Sequence, residues 1–402
     1  MSVIKSIQAR VILDSRSDKT LEVDVWLDDG VRGRASVPAG ASTGIHEAAQ
    51  IKDMDQAKHN VNTLASLILG QDPSQQEQID RTLLSTDGTE EKSALGGNVI
   101  LALSLAVCDA AAQSRHLPLF KHIQELAGLK TGSRLPTPMF NIINGGKHAD
   151  NSLEFQEFMI VPAADERSFR EKLMIGADLF QKLRAVLHKM GHSIALGDEG
   201  GFAPRLNSNE EALEILVQTI EGANYQPGRD VTLALDIAAS SIADLTPVTY
   251  PLDSNSYYKK LISTYPISSL EDPLAEEDWQ GWAKLNALIG SSILIVGDDL
   301  YTTNPKRLAM GIQQKAANAI IIKPDQIGTL TETLQAVRLA ERAGMTIIVS
   351  HRSGETESTF ISDLAVGTGA AFIKTGAPAR GERVAKYNQL LRLEEFLQEN
   401  QA

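Results

Sequence analysis

Four successive apolar runs in this chain each end on a charged residue, and no other feature limits its fold as tightly. The runs cover 233–236, 267–271, 294–298 and 320–323, and they close on Asp236, Glu271, Asp298 and Lys323. From 236 to 271 is 35 residues, from 271 to 298 is 27, and from 298 to 323 is 25. One strand plus one helix fills about that length, since a (β/α)8 barrel spends roughly 250 residues on eight such units. A charge closing an apolar strand is costly to bury unless a neighbour uses it. Three carboxylates at one barrel mouth repel each other unless a cation sits among them. A lysine beside that cation is a candidate base of lowered pKa.

The same rhythm extends over the last two thirds of the chain. Short apolar runs at 157–162, 194–197, 232–238, 267–271, 293–298, 319–323, 346–350 and 371–374 read as eight strands, with amphipathic helices between most of them. Ser168 and Glu171 stand in capping-box positions before one helix, which Gly191 stops; Gly344 stops another. The first third differs. Stretches 3–13 and 20–28 read as strands, the second with Leu21, Val23, Val25 and Leu27 alternating with Glu22, Asp24 and Trp26. Helical patterns follow at about 60–70, 74–84 and 96–115. Pro136-Thr137-Pro138 punctuates the change. The expected fold is α/β: an eight-stranded β/α barrel over 134–402, preceded by an α+β capping domain over 1–133.

Barrel active sites form where the strands end. Those ends offer Asp198-Glu199, Asp236, Glu271, Asp298, Lys323, His351-Arg352-Ser353 and Lys374, and the first strand begins with Gln156-Glu157. One acid there is usually only a turn cap; acids on three consecutive strands are harder to explain so. Asp236, Glu271 and Asp298 are all oxygen donors with no His or Cys in the pattern, which favours a hard ion such as Mg²⁺ over Zn²⁺. Arg352 and Ser353 before Gly354 suit an anion: a planar fork, a hydroxyl and an approachable backbone. His148 lies among glycines in a loop, and Glu199 is flanked by Gly197 and Gly200. Either is placed to serve a site or simply to turn the chain.

The net charge of −13 over 402 residues argues against nucleic-acid or anionic-membrane binding. The single cysteine, Cys108, forms no intrachain disulfide and suits a reducing compartment. No run reaches the roughly 20 apolar residues of a membrane span, so a cytoplasmic protein is expected. Neither a dinucleotide nor a P-loop glycine signature follows a strand.

Several longer segments carry a resemblance: Gly40-Ala41-Ser42-Thr43-Gly44, FNIINGGKHADN from Phe140, QEFMI from Gln156, GDEGGFAP from Gly197, Ser269-Leu270-Glu271-Asp272, SHRSGETE from Ser350 and AKYNQLLRLEE from Ala385. Together they resemble the enolase family from end to end. The resemblance implies a Mg²⁺-dependent hydro-lyase that converts 2-phospho-D-glycerate to phosphoenolpyruvate in glycolysis. It is also compatible with a paralogue acting on another phosphorylated or phosphonylated carboxylate, or with a non-catalytic binding protein.

It implies two Mg²⁺ ions per site, with Asp236, Glu271 and Asp298 holding the first and Ser42 contributing to the second. Lys323 becomes the base and Glu199 the acid. Arg352 and Ser353 hold the phosphate, and His148, Gln156, Glu157, His351 and Lys374 complete the pocket. The loops at 39–44 and 144–148 close over it. A homodimer or higher homo-oligomer is implied too. The chain also departs from the family's pattern. Ser17-Asp18-Lys19 stand where Gly-Asn-Pro is usual, and Ala39 replaces a serine. Asp325 takes an asparagine's place, two residues from the proposed base, where it is expected to raise the lysine's pKa.

Overall fold

The computed structural model describes residues 2–41, 44–129, 134–245 and 254–400. The N-terminal unit starts with an antiparallel sheet in the order β1 (Ile4–Leu13), β2 (Lys19–Leu27), β3 (Arg32–Ser36). The alternation along β2 buries Leu21, Val23, Val25 and Leu27 to 1% exposure or less. The opposite face is less wet than its sequence suggests. Asp24 is buried there beneath Arg10 and Arg34, whose Nε donates to Asp24 Oδ1 at 2.6 Å. Burial pushes the Asp24 pKa up, but the two guanidiniums outweigh it and bring it down to about 2.

Against the apolar face lies the helix Gly97–Ser114. Among the described helices it alone has the length and hydropathy to cross a bilayer, yet 83% of it is buried inside the protein. Its approach to β3 depends on Gly33, where an added Cβ would lie 2.2 Å from the Ala106 carbonyl and 2.3 Å from the Ala110 nitrogen. Gly33→Val is therefore expected to cost at least the 1–3 kcal/mol typical of overpacking, because backbone rather than a movable side chain is in the way. Urea unfolding checks this; an unchanged midpoint would refute the close packing. Helices Met54–Ile68, Gln76–Asp87 and Leu119–Ala127 complete the unit. Strand β3 and the last of these helices have no counterpart in the sequence reading.

The second unit is a closed barrel of β4 (Thr137–Asn144), β5 (Glu157–Pro162), β6 (Val231–Asp236), β7 (Ile267–Glu271), β8 (Leu294–Gly297), β9 (Ala319–Ile322), β10 (Thr346–Ser350) and β11 (Phe372–Lys374). Met139, Met159, Ala234, Val296, Ile321 and Ile348 pack its interior, so it is a filled core and not a pore. Two expectations need correction. The run at 194–197 is no barrel strand; it contributes one bridge, from Leu196 to Phe202. The missing eighth strand is β4, buried along its whole length, so it shows no alternation to read. In addition, β5 runs antiparallel to both neighbours, which departs from an all-parallel barrel.

The capping box of Ser168 and Glu171 and the left-handed Gly191 bound the helix Phe169–Met190. The helix Leu330–Arg342 is followed by Gly344 at φ +70°. Ser17, in a glycine's usual place, adopts φ +65°. That left-handed backbone costs an L-residue other than Gly roughly 1–2 kcal/mol.

Candidate active site

Strand direction decides which ends meet. Because β5 is antiparallel, its first residue, Glu157, pairs with Asp236 at the end of β6, and Asp236 pairs with Glu271 at the end of β7. Three adjacent strands thus set three carboxylates in a row at one mouth. Asp298 follows β8, Lys323 follows β9, His351-Arg352-Ser353 follow β10, and Lys374 ends β11. The cleft at this mouth, lined by Glu157, Asp236, Lys323, Arg352, Ser353 and Lys374, is only about 20 Å³ and includes Gly40 from the N-terminal unit. Two larger clefts, of about 600 Å³ beside Leu13 and about 570 Å³ beside His192, gather no comparable set of buried charges.

The Lys374 ammonium sits among the row of acids. It donates to Glu271 at 2.8 and 2.9 Å, to Asp236 at 3.2 Å and to Glu157 at 3.4 Å. Burial pushes its pKa down, but these carboxylates outweigh burial and hold it well above the ordinary value. Gln156 donates to Asp236 Oδ2 at 3.4 Å. Lys323 is paired with Asp298, whose other oxygen accepts from Gln326 Nε2 at 2.9 Å. The lowered pKa expected for Lys323 is absent from this arrangement. Burial, Arg352 and Lys374 push it down, but contact with Asp298 prevails and it is raised.

A second cluster joins His148, Glu157 and Glu199, whose donor atoms lie within 4.8 Å of one another. Gly146–His148 forms one short 3-10 turn that buries the His148 ring. Glu199 accepts from Asn141 Nδ2 at 2.9 Å and lies 3.2 Å from His351 Nε2. Arg383 Nη1 stands 2.6 Å from His351 Nδ1. An arginine only donates, so His351 carries its proton on Nε2, facing Glu199.

Burial pushes the His351 pKa down to about 4 and lowers that of His148. Glu199 is pushed up by burial, but His148, His351 and Arg383 carry it lower still. Glu157 moves the other way, raised by burial and by Glu199. The surroundings thus favour the charged form of Glu199 and disfavour that of Glu157, its neighbour in the cluster.

Arg352 meets two acids. Its Nη2 donates to both Glu47 oxygens at 3.1 and 3.0 Å, and Nη1 lies 3.3 Å from Asp325 Oδ2. Asp325 thus turns to Arg352, while the Lys323 ammonium turns to Asp298. Ser353 Oγ accepts from the Ala41 backbone at 2.6 Å and from Arg16 at 3.4 Å. Ala39 and Gly354 form a backbone bridge, which docks the 39–41 segment on the mouth. Ser42 lies outside the described residues.

Several residues escaped the sequence reading. Arg383, fully buried, donates to the carbonyls of Arg352 and Ser353 at 2.5 Å each and fixes the loop after β10. Its signal was its place two residues before the AKYNQLLRLEE segment. Asn141 lay inside the FNIINGGKHADN segment, whereas Glu47 had no signal, since it reaches the site by tertiary contact. Asp272, beside Glu271, is a cap instead, accepting from the backbone of Asp298 and Asp299 at 2.9 and 2.8 Å.

The residues fit a hard cation. Asp236, Glu271 and Asp298 are buried oxygen donors, and burial and Asp236 push the Glu271 pKa up to about 8. That is the signature of crowded carboxylates that a positive charge would relieve. They do not form one of the tight groups, because the Lys374 ammonium stands between Asp236 and Glu271. The tight acidic group among the described residues is Asp272, Asp298 and Asp299.

Comparison with known proteins agrees with this geometry. A family model for the enolase N-terminal domain matches residues 4–123, and one for the enolase C-terminal TIM barrel domain matches 132–402. The chain is 49% identical over 414 aligned positions to the enolase of Beutenbergia cavernae, covering 99% of this chain and 96% of that one. With both domains matched and the strand-end charges gathered at one mouth, the chain belongs to the enolase family.

Proposed function

We infer that the protein is a phosphopyruvate hydratase that removes water from 2-phospho-D-glycerate to give phosphoenolpyruvate. The observation that carries this is the meeting of Lys323, Glu157, Asp236 and the Arg352–Ser353 anion site in one cleft. Lys323 takes the proton from the carbon beside the substrate carboxylate. Glu199 delivers a proton to the departing hydroxyl, with His148 and His351 against its carboxyl group. The C–H and C–O bonds break, a C=C bond forms, and water leaves. Arg352 and Ser353 hold the phosphate, while Arg383 fixes their loop.

Asp236, Glu271 and Asp298 would hold Mg²⁺, with Ser42 contributing to a second ion, and the metal would supply the Lewis acidity that so weak a carbon acid needs. With Asp298 engaged as a metal ligand, its hold on the Lys323 proton would weaken, leaving Arg352 and Lys374, which push the lysine's pKa down.

We place the enzyme in the cytoplasm, as a homodimer or higher homo-oligomer, with residues 1–133 capping the catalytic unit 134–402. The exposed Leu13 and Val11 on β1 supply apolar surface for self-association. The test is phosphoenolpyruvate formation followed by absorbance, with and without chelator. Full activity with Mg²⁺ and its loss on chelation are expected. No turnover with Mg²⁺ present would overturn the reading.

A further inference from the structure

The Arg352 guanidinium is shared by two carboxylates where one would satisfy it. Glu47 and Asp325 both lie within 3.3 Å of it, and all three side chains are at most 5% exposed. One positive charge faces two negative ones, so the group carries an excess negative charge when all are ionised. A phosphate dianion arriving at Arg352 adds two more in a place that water cannot screen.

We propose that Asp325 makes anion binding at this site proton-linked: a phosphate or phosphonate dianion binds Arg352 together with a proton that Asp325 takes up. This rests on the reading of Arg352 as the phosphate holder. Asp325 is the member of the pair placed to accept the proton. Glu47 is held by both terminal nitrogens of Arg352 and by the Gly44 backbone at 3.2 Å. Asp325 has a single contact with Arg352, and its Oδ2 is buried without a well-aligned hydrogen bond.

The other charges around Asp325 do not change this. Lys323, on its own segment, is engaged by Asp298. Glu355, from the loop after β10, adds repulsion and is itself paired with Lys386 at 2.9 Å. Burial pushes the Asp325 pKa up to about 6, against the pull of Arg352 and with a push from Glu47. Asparagine at this position would remove both the extra charge and the proton site.

The test compares the native enzyme with Asp325→Asn, an isosteric change, at saturating Mg²⁺. The native KM for 2-phosphoglycerate is expected to rise about tenfold per pH unit above pH 7, the mark of one coupled proton. The variant's KM stays nearly flat. A purely structural role would shift both profiles without changing their slope.

A second measurement needs no turnover. Calorimetry of inorganic phosphate binding at pH 8, in buffers of different ionisation heat, counts the protons taken up. The native protein is expected to take up about one more than Asp325→Asn. Parallel KM profiles or equal proton counts would overturn the proposal. If 2-phosphoglycerate is not a substrate at all, the activity reading fails, and the phosphate measurement alone decides the role of Asp325.

Discussion

Lys323→Ala is expected to lose about 10²–10⁴ in kcat, the usual contribution of a positioned general base. The loss should fall on kcat far more than on KM, because Arg352 and Ser353, which bind the phosphate, and the acid row stay in place. Solvent exchange of the substrate's α-proton gives a second readout, which should fall with it. The variant should also fold. Asp298 keeps its hydrogen bond from Gln326, so removing the lysine does not strand that carboxylate alone. A variant that still exchanges the α-proton at the native rate would move the base elsewhere in the cleft.

Lys374→Met should damage stability before it damages chemistry. The ammonium is the only described cation within 3.5 Å of the Glu157, Asp236 and Glu271 carboxylates. Breaking a buried ion pair by removing one partner costs roughly 3–5 kcal/mol, because the remaining charge is left uncompensated. The pH window follows from the raised pKa. A lysine whose folded pKa lies above its unfolded value contributes fully below the unfolded value, and the contribution fades as pH rises through the folded one. At pH 7 the whole effect is present.

Thermal melting of the chelated protein should show a lower midpoint in the variant, and added Mg²⁺ should recover part of it through mass action on the native state. Equal midpoints without Mg²⁺ would show that Lys374 does not neutralise the row.

Much of this site can be read from residue type and spacing, and the limits have physical causes. Asp236, Glu271, Asp298 and Lys323 were visible because parallel strands repeat one unit, so each strand end falls at the same height. Glu157 belongs to that row only because β5 runs backwards, and direction leaves no trace in a six-residue apolar run. Strand β4 was missed because burial on both faces erases its period, and the apolar residues around Leu196 imitated the absent strand. Glu47, Arg16 and Arg383 reach the mouth from far along the chain, so no local pattern announces them. The expected low pKa of Lys323 failed for a related reason: spacing placed the lysine near Asp298 but could not show direct contact. Asp325 stood out by sequence position, yet its partner proved to be Arg352, 27 residues away.

The order in which the barrel closes has a consequence for biogenesis. Strand β11 joins β10 to β4, and it is the last barrel strand in chain order. Until it emerges, the sheet has two open edges, which are templates for pairing with other chains. During that interval the acid row also lacks its ammonium, because Lys374 ends the same strand. Synthesis therefore seals the hydrogen-bonded ladder and neutralises the mouth in one late event. A nascent chain stalled before residue 372 should be both aggregation-prone and electrostatically strained, and it would depend on chaperone protection until its final strand arrives.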